Sequence, residues 1–137
     1  MTITLKGSCL CNSVQYEVDG EPTGFYHCHC QRCRKASGTG HASNVLLKPG
    51  HLRWLKGEEL VASFKVPDAK RFRNDFCTNC GANLPRAFKE LDSVTIPAGT
   101  LDEPPPFAPK ARIFMDSAAD WSCQGDEIPA FETYPGR

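Results

Sequence analysis

Seven of the eight cysteines fall into three groups with metal-ligand spacing: Cys9-x-Cys11, Cys28-x-Cys30-x-x-Cys33 and Cys77-x-x-Cys80. A closed structural zinc site takes four ligands, and seven minus four leaves three. Three thiolates with one open coordination position form the pattern of a zinc that does chemistry. Cys77-Thr78-Asn79-Cys80-Gly81 has the form of a zinc knuckle, in which two thiolates come from one tight turn. Gly81 is expected at positive φ, where the chain folds back under the metal. On an extended strand residues i and i+2 share a face, so Cys9 and Cys11 point the same way and can supply the other half of a tetrahedron. The expected structural site is therefore Cys9, Cys11, Cys77 and Cys80. It joins an early segment to a late one and stabilises the fold directly.

Cys28, Cys30 and Cys33 lie within six residues, close enough to share one ion. By the same alternation His29 points away from its two cysteine neighbours. A fourth ligand from His27, His41 or Cys123 would close this site. Cys9 and Cys11 could also pair instead with Cys30 and Cys33. Left open, a tris-thiolate zinc carries a formal charge of about −1, so it is a weak Lewis acid that still deprotonates a bound thiol. Such a centre suits capture of a sulfur nucleophile better than activation of water. Arg32, Arg34 and Lys35 surround Cys33, where they offset thiolate charge or form a solvated basic loop. Next come Ala36-Ser37-Gly38-Thr39-Gly40-His41. Ser37, Thr39 and His41 are the candidates for proton relay in this stretch.

The elements that must position these groups read as strands. Val14, Tyr16 and Val18 alternate with Ser13, Gln15 and Glu17, and Ala62, Phe64 and Val66 alternate with Val61, Ser63 and Lys65. Both patterns predict half-buried strands. Further strands are expected over residues 2–6, 24–28, 41–47, 52–55, 72–77, 94–98 and 112–115. Turn residues divide them at Asp19-Gly20-Glu21-Pro22, Lys48-Pro49-Gly50, Lys56-Gly57 and Val66-Pro67-Asp68. Helix is limited to single turns over 86–91 and 117–120. The expectation is an all-β chain of eight to ten short strands, organised as one domain over residues 1–137.

Lys+Arg and Asp+Glu balance at 16 each, giving no long-range field for nucleic acid or anionic membrane. No apolar run approaches the roughly 18 residues of a membrane span. The amino-terminal Met1-Thr2-Ile3-Thr4-Leu5-Lys6 has no secretory character, so a cytoplasmic location is expected. In that reducing compartment, cysteine pairs read as metal sites rather than disulfides.

Three segments carry a family resemblance: residues 7–16 around Cys9-Leu10-Cys11, residues 28–35 around Cys28-His29-Cys30-Gln31-Arg32-Cys33, and Phe76-Cys77-Thr78-Asn79-Cys80-Gly81. They closely resemble the glutathione-dependent formaldehyde-activating enzymes, a family grouped with centromere protein V-like proteins. Ala98-Gly99-Thr100-Leu101-Asp102, Trp121 and Ile128-Pro129-Ala130-Phe131 are similar to its carboxy-terminal half. The resemblance implies a β-tent fold bound by two Zn²⁺ per chain. It implies a structural ion at Cys9, Cys11, Cys77 and Cys80 and a catalytic one at Cys28, Cys30 and Cys33. Where many members carry a histidine, this chain has Arg112. The activity implied is a carbon–sulfur lyase reaction on a glutathione-type thiol adduct such as S-hydroxymethylglutathione. The substrate thiol would take the open position of the three-cysteine zinc. A competing expectation is a non-catalytic zinc module that binds protein or nucleic acid, for which the chain lacks a long basic extension. A redox or metal-buffering role is a third.

Overall fold

Two long antiparallel strands organise the molecule, a computed structural model that describes residues 1–122 and 127–136. β2 (Gln15–Cys28) and β3 (Ala42–Lys56) pair from Gln15↔Lys56 to Cys28↔Ala42. β1 (Ile3–Ser8) adds to the first half of β2. β7 (Ser93–Pro97) adds to β3, and β6 (Arg86–Phe88) to β7. β8 (Ala111–Ile113) runs parallel to the end of β2 over Tyr26–Cys28. β4 (Val61–Lys65) and β5 (Arg73–Cys77) form a separate two-stranded ribbon. The all-β expectation holds, with eight strands among the described residues.

The expected breaks at Asp19–Pro22 and Lys48–Gly50 are not turns. Gly20 pairs with Gly50, and the register shifts between Gly20 and Pro22 and again between Pro22 and Gly24. These are bulges, which bend a strand while keeping it in the sheet. A Cβ at Gly20 would collide with the Pro49 carbonyl, so the close approach of the two strands requires glycine there. Four expected short strands thus become two long bent ones.

Alternation predicts the buried face of β2 well. Val14, Tyr16 and Val18 are fully buried, and they pack with Val45, Leu47, Val94 and Ile96 from β3 and β7. Each such side chain contributes about 1.5–3 kcal/mol on leaving water. The same pattern fails for β4, where Phe64 is 59% exposed. Phe64 lines an open hollow instead of a packed core, so alternation there records β-propensity without burial.

The sequence does not announce α1 (Gln31–Ser37). Its start is capped by Cys30, whose sulfur accepts from the Cys33 N–H at 3.3 Å. Gly38 in the left-handed region ends it, its N–H donating to the Arg34 carbonyl at 2.8 Å. At seven residues α1 is too short to show helical periodicity. The expected helical turns also shift: residues 86–88 are β6, followed by a 3₁₀ turn at Lys89–Leu91, and the second turn lies at Met115–Ser117. The Cys123 alternative lies outside the described residues.

Candidate metal centres and their cavity

One group contains Cys9, Cys11, Cys77 and Cys80, with all four sulfurs within 4.8 Å of one another. Sγ–Sγ distances of 3.6 Å (Cys9–Cys11) and 3.9 Å (Cys11–Cys77) are far beyond a disulfide. They match the roughly 3.8 Å edge of a tetrahedron built on a Zn–S bond of about 2.3 Å. Cys9 and Cys11 are not on an extended strand as alternation suggested. β1 stops at Ser8, and residues 9–12 form a turn in which the Asn12 N–H donates to the Cys9 carbonyl at 3.1 Å and Asn12 takes φ 65°. The turn brings the two sulfurs together by a different route. The knuckle behaves as expected. Gly81 sits at φ 78°, and its N–H donates to the Cys77 carbonyl at 2.7 Å.

N–H groups point at these sulfurs. The Val14 backbone donates to Cys9 Sγ at 3.2 Å and the Asn79 side chain to Cys11 Sγ at 3.1 Å. Hydrogen bonds from Ser13 and then Asn79 pull the Cys11 thiol down to about 5, whereas burial pushes Cys77 up to about 11. Donors aimed at sulfur favour the thiolate. A cation would complete the ionisation of Cys77, so the donor set fits zinc.

The second group is Cys28, Cys30 and Cys33, again with every sulfur within 4.8 Å of the others. Cys28 is the last residue of β2, Cys30 caps α1, and Cys33 lies on the first turn of that helix. Burial raises the Cys28 and Cys33 thiols. Burial also acts against the Cys30 thiolate, but hydrogen bonds led by the Cys33 backbone N–H outweigh it and lower that thiol. One thiol that ionises more readily and two that resist, at such close range, suit a cation that ionises all three. Among the described residues no histidine nitrogen joins either group, and the two groups do not exchange cysteines. His29 does point away from the thiols. It is fully buried, with the His41 ring 5.0 Å away and Ser122 Oγ 3.5 Å from its Nδ1.

Beside Cys33 opens a cavity of ≈ 170 Å³. α1 contributes Cys33 and Ser37, β3 contributes Ser43 and Asn44, and His41 stands at the entry to β3. His41 stacks on His27 with ring centroids 4.2 Å apart. Ser43 Oγ lies 2.9 Å from His27 Nδ1 and 3.3 Å from His41 Nδ1, bridging the two rings. Burial lowers the His41 pKa from its ordinary 6.5, helped by the neighbouring His27 and His29. The ring is therefore neutral at pH 7 and able to accept a proton. Ser37 and Thr39 are brought together as well, their hydroxyls 2.9 Å apart, with Thr39 donating to the His41 carbonyl at 2.6 Å. That bond fixes the segment carrying His41. Ser37 lines the cavity and Thr39 does not.

The basic cluster divides. Arg34 is tied to the Ser117 carbonyl at 3.0 Å. Arg32 and Lys35 line a second hollow of ≈ 370 Å³ with Phe64 and Phe72, and Arg32 pairs with Asp68 at 3.6 Å. The two hollows share Ala36, Phe72 and Asn74. Sequence reasoning missed Arg86, Asn44, Asn74 and Asn83 in the cavity wall. They come from separate strands and loops with no common spacing, so no local signal could have joined them.

The family model for "Glutathione-dependent formaldehyde-activating enzyme" matches residues 4–117. No curated protein matches the chain. A crystal structure of a Rhodobacter sphaeroides protein is similar in fold, with a TM-score of 0.55 at 22% identity, covering 79% of this chain and 99% of the other. The matched residues include both cysteine groups, and the chain belongs to the glutathione-dependent formaldehyde-activating enzyme family.

Proposed function

We propose that this chain is a zinc-dependent carbon–sulfur lyase acting on the glutathione-type thiol adduct of a small aldehyde, such as S-hydroxymethylglutathione. Residues 1–137 serve as one catalytic domain in this reading. The observation that carries it is the three-thiol group whose Cys33 forms part of a cavity wall that also holds a neutral histidine. Cys28, Cys30 and Cys33 would hold the catalytic ion, and Cys9, Cys11, Cys77 and Cys80 the structural one. Bound zinc supplies the positive charge that keeps a substrate sulfur in its thiolate form near neutral pH.

The chain's own residues do the rest. His41 accepts the hydroxyl proton of the hydroxymethyl adduct. The freed oxygen lone pair closes the carbon–oxygen double bond, and the carbon–sulfur pair leaves on sulfur, giving aldehyde and thiolate. In the reverse direction His41 returns the proton to the alkoxide. Ser43 holds His41 through Nδ1, and the Thr39 hydroxyl fixes the His41 backbone. The part of a large thiol that the inner cavity cannot hold runs over Phe72 into the outer hollow, where Arg32 and Lys35 offer positive charge.

The test is formaldehyde exchange with the glutathione adduct, measured above the uncatalysed rate, beside zinc per chain. The wild type should carry two ions and turn over. Cys30→Ser should carry one ion, keep its fold and lose turnover. A Cys30→Ser protein as active as wild type would refute the proposal.

A further inference from the structure

We propose that Arg86 binds a carboxylate of the substrate, so that the site selects acidic thiols; this rests on the thiol-lyase reading of the same cavity. The cavity wall is largely apolar, with a few polar side chains and Cys33 set into it. Its side chains include Asn44, Asn74, Asn83 and the Arg86 guanidinium, and among the described residues no Asp or Glu lines it. A part-buried guanidinium with no carboxylate partner is costly unless a ligand supplies the anion. Cys33 and then Asp75 attract Arg86 against the effect of burial, but Asp75 Oδ1 is already taken by Ser63 Oγ at 2.7 Å and Arg73 Nε at 3.0 Å. Among the described residues, Arg86 makes no ion pair at all. Among those residues its one acceptor is the Arg73 carbonyl, reached by Nη1 at 3.0 Å.

The guanidinium is nevertheless held still. It lies 5.8 Å from the centroid of the Phe72 ring, and the Nη1 bond fixes its plane. Its remaining N–H donors are available for a bidentate carboxylate, the geometry in which arginine is strongest. The carboxamides of Asn44 and Asn74 add neutral donors that accept an anion without demanding a proton, whereas the Asn83 amide donates to the Ala36 carbonyl at 3.4 Å.

Size narrows the ligand. A space of ≈ 170 Å³ is close to that of a cavity of about 150 Å³ that takes benzene, so it holds on the order of six non-hydrogen atoms. With Cys33 and Arg86 in one wall, the carboxylate must lie a few bonds from the reacting sulfur. A different role for Arg86 is simply to balance the Cys28 and Cys33 thiolates, whose charge also acts on it. That role gives no preference among thiols, so the two roles separate by experiment.

The experiment is calorimetric titration of the zinc-loaded protein with 3-mercaptopropionate and with its neutral counterpart, 3-mercaptopropionamide. The two share the thiol and differ in the charge a few bonds away. In the wild type the acid should bind on the order of 10- to 100-fold tighter, the range of a charge-assisted hydrogen-bond pair. Arg86→Gln should bring the ratio close to one by weakening the acid alone, and Arg86→Lys should keep part of it. Equal binding of both thiols by the wild type, or an unchanged ratio in a folded Arg86→Gln, overturns the role of Arg86 while leaving the lyase reading intact. Binding of neither thiol overturns both. The wild-type comparison needs no substitution, so it decides the matter even where a variant fails to fold.

Discussion

The two cysteine groups are chemically alike and structurally opposite. The four-thiol group gathers segments 66 residues apart, and Cys9 and Cys77 belong to the hydrophobic core itself. The three-thiol group is assembled within one strand end and one helical turn, and it faces a cavity. A ligand set that spans the chain replaces tertiary contacts and makes folding depend on the ion. A local set forms wherever β2 meets α1, so an ion held there would be free to serve a substrate. The difference lies in where the cysteines sit in the fold more than in how many there are.

Cys77→Ser should break the contrast most severely if it is wrong. This thiol is fully buried and ends β5. Its loss should cost on the order of 5 kcal/mol or more, comparable with the whole stability of a small domain. The thermal midpoint should collapse, whereas Cys30→Ser should move it by only a few degrees. Equal shifts in the two variants would erase the distinction between clamp and site. Next in size is a graded chelation series. Turnover should vanish at the first ion lost with near-ultraviolet circular dichroism unchanged, and tertiary signal should vanish with the second. A single cooperative loss of both would join the groups into one structural unit.

His41→Asn sharpens the contrast on the catalytic side. Turnover should fall by roughly 10²- to 10⁴-fold, as expected for loss of a general base, with little change in melting. The pH dependence has a definite sign. Folded His29 and His41 take up protons only below their ordinary 6.5. The unfolded chain therefore binds more protons through that range, and stability falls as pH drops below about 6.5. The acidic limb of the rate profile should lie below the same value and disappear in His41→Asn. Smallest is Tyr16→Phe, which removes a 2.6 Å hydroxyl bond to Thr100 in the core. It should cost about 1 kcal/mol and alter neither zinc content nor turnover. A change in either would mean that the core and the metal groups are not separable.

Spacing made both thiol groups legible, because C-x-x-C and C-x-C fix local geometry and seven cysteines divide in few ways. Alternation predicted the β2 face of Val14, Tyr16 and Val18, since burial of a pleated strand imposes a period of two. It failed at Phe64, which is exposed at an open hollow, and at Gly20 and Gly50, where turn residues proved to be bulges. α1 escaped notice because its cap is a cysteine already assigned to metal. His41 was visible from its place after the Ser37–Gly40 stretch, but its stacking on His27 is a cross-strand contact between β2 and the start of β3. Arg86 was invisible for the same reason. Its proposed role depends on the cavity lining having no Asp or Glu among the described residues, which is a property of the assembled wall.

The 66-residue span between Cys11 and Cys77 also sets an order in time. At roughly 5–20 residues per second, a ribosome needs about 3–13 s to make that stretch. Throughout that interval Cys9 and Cys11 have no partners, while Cys28, Cys30 and Cys33 are complete as soon as α1 emerges. If both groups take ions, a nascent chain would therefore offer its first complete ligand set at the three-thiol group. The four-thiol group would be completed later, on a molecule whose three-thiol group has already had the chance to fill.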